Sequence, residues 1–362
     1  MSKNKFDDTI PRGLDYLAGL SWRLLVILGV IAVLVALVIY LKVLVIPFLI
    51  AILVTAMLFP LVEFLVKVGL KRAVAVAISL VTLFVVVSGL GFLVVQQFRS
   101  AYPDLRERSE TIVADTRETL AGEPFNISES DINDYIDDAV SLVQNNSGVV
   151  ASGVVSFGSA ATNVVTGFFL VIFAVLFMLL DGKNIWRWVT TLFPKGSRER
   201  LFTAGKKGWR TLINFVKSQV MVAGVDAVGI GAGALILGVP LAIPIAVMVF
   251  LGSFIPIVGA LVTGAIAVLI ALVFNGWVVA LIMLAIVIAV QFAESQLLQP
   301  FLIGKAVSVH PLAIVFAVAV GSLIAGIPGA LFSVPIAAVI NVMVGALVNP
   351  ETEKRRIFTK RT

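Results

Sequence analysis

The sequence reads as an all-α polytopic membrane protein with about eight membrane segments, two of them broken by Pro and Gly. Three observations lead there. Of the 362 residues, 60% are apolar and 13% charged, against roughly 45–50% and 25% in soluble domains. The apolar residues gather into runs close to the ~20 residues a helix needs to cross a bilayer. Those runs do not alternate apolar with polar residues, as the strands of a membrane barrel would.

Six simple spans fall near 24–41, 44–62, 73–96, 158–180, 212–238 and 276–298. Residues Met1 to Trp22 are mixed in charge and lack a small-residue cleavage site after the first apolar run, so that run is expected to stay as an uncleaved anchor. The segments 240–274 and 311–348 are too long for one straight crossing and are interrupted by Pro and Gly. Each is either a re-entrant hairpin or a pair of short spans.

The two broken segments also repeat each other. Pro240-Leu241-Ala242-Ile243 returns as Pro311-Leu312-Ala313-Ile314, Gly252-Ser253-x-Ile255 as Gly321-Ser322-x-Ile324, and Gly259-Ala260-Leu261 as Gly329-Ala330-Leu331. Each unit is one crossing helix followed by one broken segment. The helices 212–238 and 276–298 run in opposite directions, which makes the units an inverted repeat of the kind that brings broken helices to mid-membrane around a solute.

Charge orients the chain. Lys and Arg favour short cytoplasmic loops. Lys3, Lys5, Arg12 and Arg23 precede the first span, Lys67, Lys71 and Arg72 follow the second, and Lys183 to Arg210 follow the fourth. Lys305 and the tail residues Lys354, Arg355, Arg356, Lys360 and Arg361 complete the set. All fall on one side if both termini are cytoplasmic. Residues 97–150 then lie outside and are rich in Asp and Glu, with only four Arg.

Five regions follow: N-terminal scaffold spans (1–96), an extracytoplasmic acidic helical insert (97–150), the fourth span with a basic cytoplasmic segment (151–204), the repeat-containing region (205–348) and a basic cytoplasmic tail (349–362). In the insert, Phe98, Tyr102, Leu105, Ile112, Val113 and Leu120 recur at helical spacing, as do Ile132, Tyr135, Ile136, Val140 and Val143. An amphipathic helical arm broken at Glu123-Pro124 is expected. The basic segment 183–217 interleaves Trp186, Trp188, Phe202 and Trp209 with Lys and Arg, which suits a helix lying on an anionic membrane surface. Those aromatics serve as interface anchors, so nucleic acid is not an expected partner.

Ionisable groups inside a membrane are costly and mark cavities or partners. Glu294 shares a helix face with Gln291. It can carry a proton or hold a small cation, with Gln296 and Gln299 as neutral donors and acceptors nearby, or it can cap the span or bond to Lys305. Asp226 sits near the middle of 212–238 with Gln219 two turns earlier, and it serves either transport or a buried structural hydrogen bond. Pro256 and Gly259, and Pro328 and Gly329, would end helices and free backbone groups for ions, or form ordinary tight turns. His310, the single histidine, reads best as a turn residue.

The absence of Cys excludes disulfides and thiolate chemistry. Gly229-Ile230-Gly231-Ala232-Gly233 lacks the Lys-Ser/Thr of a phosphate-binding loop, and no metal-spaced cluster or Ser/His/Asp arrangement is visible. Neither an enzyme nor a resident cofactor or metal is expected.

Several stretches resemble the AI-2E (autoinducer-2 exporter) family of bacterial inner-membrane proteins. They are Pro47-Phe48-x-x-Ala51, Pro60-Leu61-Val62, Gly69-Leu70-x-Arg72-x-x-Ala75 and Phe254-Ile255-Pro256-x-x-Gly259. The most specific is Gln291-x-x-Glu294-x-x-Leu297-x-x-Pro300-x-x-x-Gly304-Lys305 through His310-Pro311, followed by Gly326-Ile327-x-Gly329-Ala330 and Pro335. Relatives commonly carry Asn just after the Glu, where this chain has Ser295. The resemblance implies a multi-pass inner-membrane protein, homo-oligomeric assembly and transport. The function expected is secondary export of a small polar solute or autoinducer-2-like signal, with or without coupling to H⁺ or Na⁺. The alternatives are Na⁺(Li⁺)/H⁺ antiport and an oligomeric channel.

Overall fold

Backbone polar groups have no water to bond in a bilayer, so each crossing segment must satisfy its own, and helices do so. The computed structural model describes residues 12–121, 166–255, 258–298 and 311–348, and these are helical apart from short connections. The helices are α1 (Arg12–Tyr40), α2 (Lys42–Lys67), α3 (Arg72–Ala121), α4 (Thr166–Thr191), α5 (Arg198–Ile236), α6 (Ala242–Gly252), α7 (Val258–Asn275), α8 (Trp277–Ala293) and α9 (Pro311–Val348). Seven of the described helices are long and apolar enough to cross a membrane, with α6 and α7 as shorter apolar pieces.

Three boundaries differ from the sequence reading. Only Leu41 separates α1 from α2. Its N–H closes the last turn of α1 on the Leu37 carbonyl, and its own carbonyl opens α2 by accepting from Val45, so one residue with ψ 17° makes the bend that joins the two helices. Second, α3 runs 50 residues without a break, so the first half of the expected external arm is a continuation of the third span. The expected break at Glu123-Pro124 and the second run of the arm lie outside the described residues. Third, α5 begins at Arg198 rather than near 212. The expected surface segment is therefore the end of α4, a short 3₁₀ turn (Lys195–Ser197) and the first part of a 39-residue helix.

The reason α5 starts early is visible in its packing. Leu212 and Val216 bury against Ala56 of α2, with Val339 of α9 beside them. Trp209 meets Phe59 edge-on at 6.0 Å, and the Trp186 indole N–H donates to the Phe202 carbonyl at 3.4 Å. Two of the expected interface anchors thus pack within the helical assembly, whereas Trp188 stays 64% exposed.

The core is divided in two. One cluster joins α2, α3 and α4 through Ala51, Leu58, Ala75, Val76, Val175 and Leu179. There the Arg72 guanidinium donates from Nε and Nη2 to the Leu179 carbonyl at 2.8 and 2.6 Å, which sets the start of α3 beside the middle of α4. The second cluster joins α5, α6, α7 and α8 through Ile230, Ala234, Ile245, Val249, Ala267 and Met283. Small residues on α5 let its neighbours close in: a Cβ on Gly208 would meet Met343, and one on Gly231 would meet Ala246.

The two broken segments are built alike. After α5 the chain turns through Gly238 (φ 66°) and Leu241 (φ 65°). Helix α6 then folds back on α7 so closely that a Cβ on Gly259 would fall on the Gly252 carbonyl. In α9 the break lies at Ala325 (φ −136°) and Gly326 (φ 62°, ψ −142°), the latter a backbone region reserved for glycine. A Cβ on Gly329 would fall on the Gly321 carbonyl. In a straight helix eight residues rise ~12 Å, so the two halves of α9 form a second hairpin. Pro328 does not end a helix here. It sits in the first turn of the second half, where its missing N–H costs nothing.

Candidate functional site

The turn between α6 and α7 lands on the middle of α5. Ser253, the residue after Gly252, accepts on its backbone carbonyl a hydrogen bond from the Gln219 side-chain amide at 2.6 Å. Its Oγ reaches Asp226 Oδ2 at 3.1 Å and the Val249 carbonyl at 2.8 Å. Gln219 and Asp226, seven positions apart, lie on one helix face. Between them they engage the carbonyl and the hydroxyl of Ser253, and Asp226 is 1% exposed.

The other side of the site comes from α8. This helix widens at its end into a π turn, Glu294–Leu298, a distortion often found at functional positions. Glu294 lies within hydrogen-bonding and Coulombic reach of Asp226. Oδ1 of Asp226 and the amide nitrogen of Gln291 are both buried with no hydrogen-bond partner among the described residues. Buried polar atoms left this way are costly and call for an explanation.

Two facing carboxyl groups repel when both are ionised. They attract when one proton is shared between them or a cation bridges them. With the Ser253 hydroxyl, the site offers oxygen donors suited to a proton or a small hard cation. No group of three or more His, Cys, Asp or Glu placed to hold a metal ion occurs among the described residues.

The structure brings together Asp226, Glu294 and Gln219, with Gln291 one helical turn before Glu294. Gln296 is exposed in the π turn and does not join them. Gly259 and Gly329 are crossing points of the two hairpins, and Pro256, Gln299, Lys305 and His310 lie outside the described residues. Ser253 was not singled out from the sequence as a functional residue. The available signal was its place in the repeat, directly after the glycine that the hairpin crosses.

The model of the AI-2E family of transporters matches residues 26–349. The chain is 38% identical to MT0215 of Mycobacterium tuberculosis over 96% of its own length and 95% of the relative's. It is 25% identical to YrrI of Bacillus subtilis over 86% and 89%; both are named as proteins with an inferred transport role. The AI-2 transport protein TqsA of Escherichia coli is 22% identical over 88% of this chain and 91% of its own.

Proposed function

The chain belongs to the AI-2E family of transporters, and from that premise we propose that it is a secondary transporter that moves a small polar solute out across the bacterial inner membrane. Rearrangement of the region 205–348 against the first four spans would do the moving. Homo-oligomeric assembly and cytoplasmic termini belong to the same reading. The Arg72–Leu179 contact supports the orientation, since it holds Arg72 one helical turn from Lys183, the first basic residue of the segment read as cytoplasmic.

One observation carries the mechanism: a buried carboxylate on α5 holds the turn of the first hairpin through Ser253, with a second carboxyl on α8 beside it. A proton arriving at the pair removes repulsion between the acids and weakens the hold of Asp226 on Ser253. Occupancy at the acids is thereby linked to freedom of the hairpin, which is the link a coupled transporter requires. The same pair supports a second reading, Na⁺(Li⁺)/H⁺ antiport, in which the cation takes the place of the proton. The cargo is assigned as a class, since TqsA, named for AI-2 transport, stands at 22% identity.

Proteoliposomes with and without an imposed pH or Na⁺ gradient test this. Flux stimulated by the gradient should fall by about tenfold or more in Glu294→Gln and Asp226→Asn. Gradient-stimulated flux that survives both substitutions undiminished would sink the coupled mechanism.

A further inference from the structure

Away from the acid pair, a groove of about 350 Å³ runs between the α1–α2 bend and the second hairpin. Its volume falls in the range of small-molecule sites, roughly 300–1,000 Å³. One wall is the stripe Val38, Lys42, Val45 and Leu49, spaced by three and four residues. That spacing places Lys42, Val45 and Leu49 on one face of α2, and Val38 adds the end of α1 to the same wall. The facing wall is the break of α9: Ile324, Ala325, Pro328 and Gly329.

The chemistry of the walls is lopsided. Lys42 is the one charged lining residue and no carboxylate lines the groove. The Ser333 hydroxyl is spent on the Gly329 carbonyl at 2.6 Å. Lys42 is the first residue of α2, two positions after the apolar span Gly19–Tyr40 ends. An ammonium so placed is unfavourable in hydrocarbon unless it reaches the headgroup layer or meets an anion. The complementary occupant has one anionic group for Lys42 and a long apolar body for the rest of the groove.

We infer that the groove is a binding site for an anionic phospholipid, with its phosphate on Lys42 and an acyl chain lying along α2 against the broken backbone of the second hairpin. This rests on the groove alone and stands independently of the acid pair. A lipid seated there touches the residues that must move if the second hairpin moves, so its occupancy favours the hairpin position described above.

The test uses the full-length protein stripped of lipid in detergent and offered phosphatidylglycerol or phosphatidylcholine, with bound lipid counted by native mass spectrometry. Wild type should prefer phosphatidylglycerol by about fivefold, the contribution of one lysine near anionic lipid. Lys42→Arg should keep that preference and Lys42→Gln should lose it. Lys67→Gln, which removes an exposed charge at the other end of α2, should leave it intact. Ala337→Trp, filling the groove from α9, should lower retention of both lipids. The proposal is overturned if Lys42→Gln keeps the preference, if Lys67→Gln erases it equally, or if Ala337→Trp retains lipid as wild type does.

Discussion

The two hairpins share a construction and differ in how they are held. Each has a glycine crossing, Gly252 with Gly259 and Gly321 with Gly329. In each, a hydroxyl four residues beyond the second glycine bonds back to that glycine's carbonyl: Thr263 to Gly259 at 2.8 Å, Ser333 to Gly329 at 2.6 Å. The serine after the first glycine also bonds back in both, Ser253 to Val249 and Ser322 to Val318. Beyond that they part. Ser253 is buried and also engages Asp226 and Gln219, whereas Ser322 is exposed and the neighbouring Leu323 and Ile327 are 87% and 73% exposed. The crossing therefore makes a hairpin, and the polar tether fixes its position. In this structure only the first hairpin has a tether of this kind among the described residues.

The sharpest way to break this comparison is to attack the crossing. Gly259→Val drives a side chain into backbone that cannot yield. It should cost more than ~3 kcal/mol and abolish a cooperative melt in detergent. Gly329→Val should fail in the same way, and a normal melt for either variant would show that the crossing is not what builds the hairpin.

Next in size is Asp226→Asn, which keeps the shape and removes the charge. Gradient-driven flux should fall by about 10- to 100-fold with the fold intact, as loss of a buried charged hydrogen bond is worth ~1–3 kcal/mol. Gly326→Ala, which forces a Cβ into a glycine-only conformation, should destabilise the second hairpin by ~1–3 kcal/mol, read as faster hydrogen exchange in α9 with α6 and α7 unaffected. The smallest contrast is between the two serines. Ser253→Ala should lower stability by ~1 kcal/mol, and Ser322→Ala by less than ~0.5 kcal/mol, as for an exposed position. Equal effects from the two would remove the distinction between tethered and untethered hairpins.

What was legible in the sequence was whatever repeats locally. Apolar runs located the helices, and the recurring glycines marked both hairpins. The exact break in α9 was not legible. Pro328 looks like a terminator, yet proline is tolerated in the first turn of a helix, so it marked a beginning three residues past Ala325. The early start of α5 was hidden because Lys206, Lys207 and Arg210 surround the face that Gly208 and Leu212 bury. Asp226 and Glu294 stood out as acids in apolar sequence. Their partnership with each other and with Ser253 spans three elements, and no periodicity within one helix encodes it.

Helix α5 has a mechanical consequence. It carries the acid site at Asp226 and reaches back to Arg198 at the edge of the basic face as one unbroken helix. Those 28 residues measure ~42 Å at 1.5 Å per residue. A tilt of about 10° pivoting at Asp226 would swing Arg198 by ~7 Å, by the same geometry. Occupancy of the acid pair can thus be felt at the Arg198 end of α5 by leverage alone.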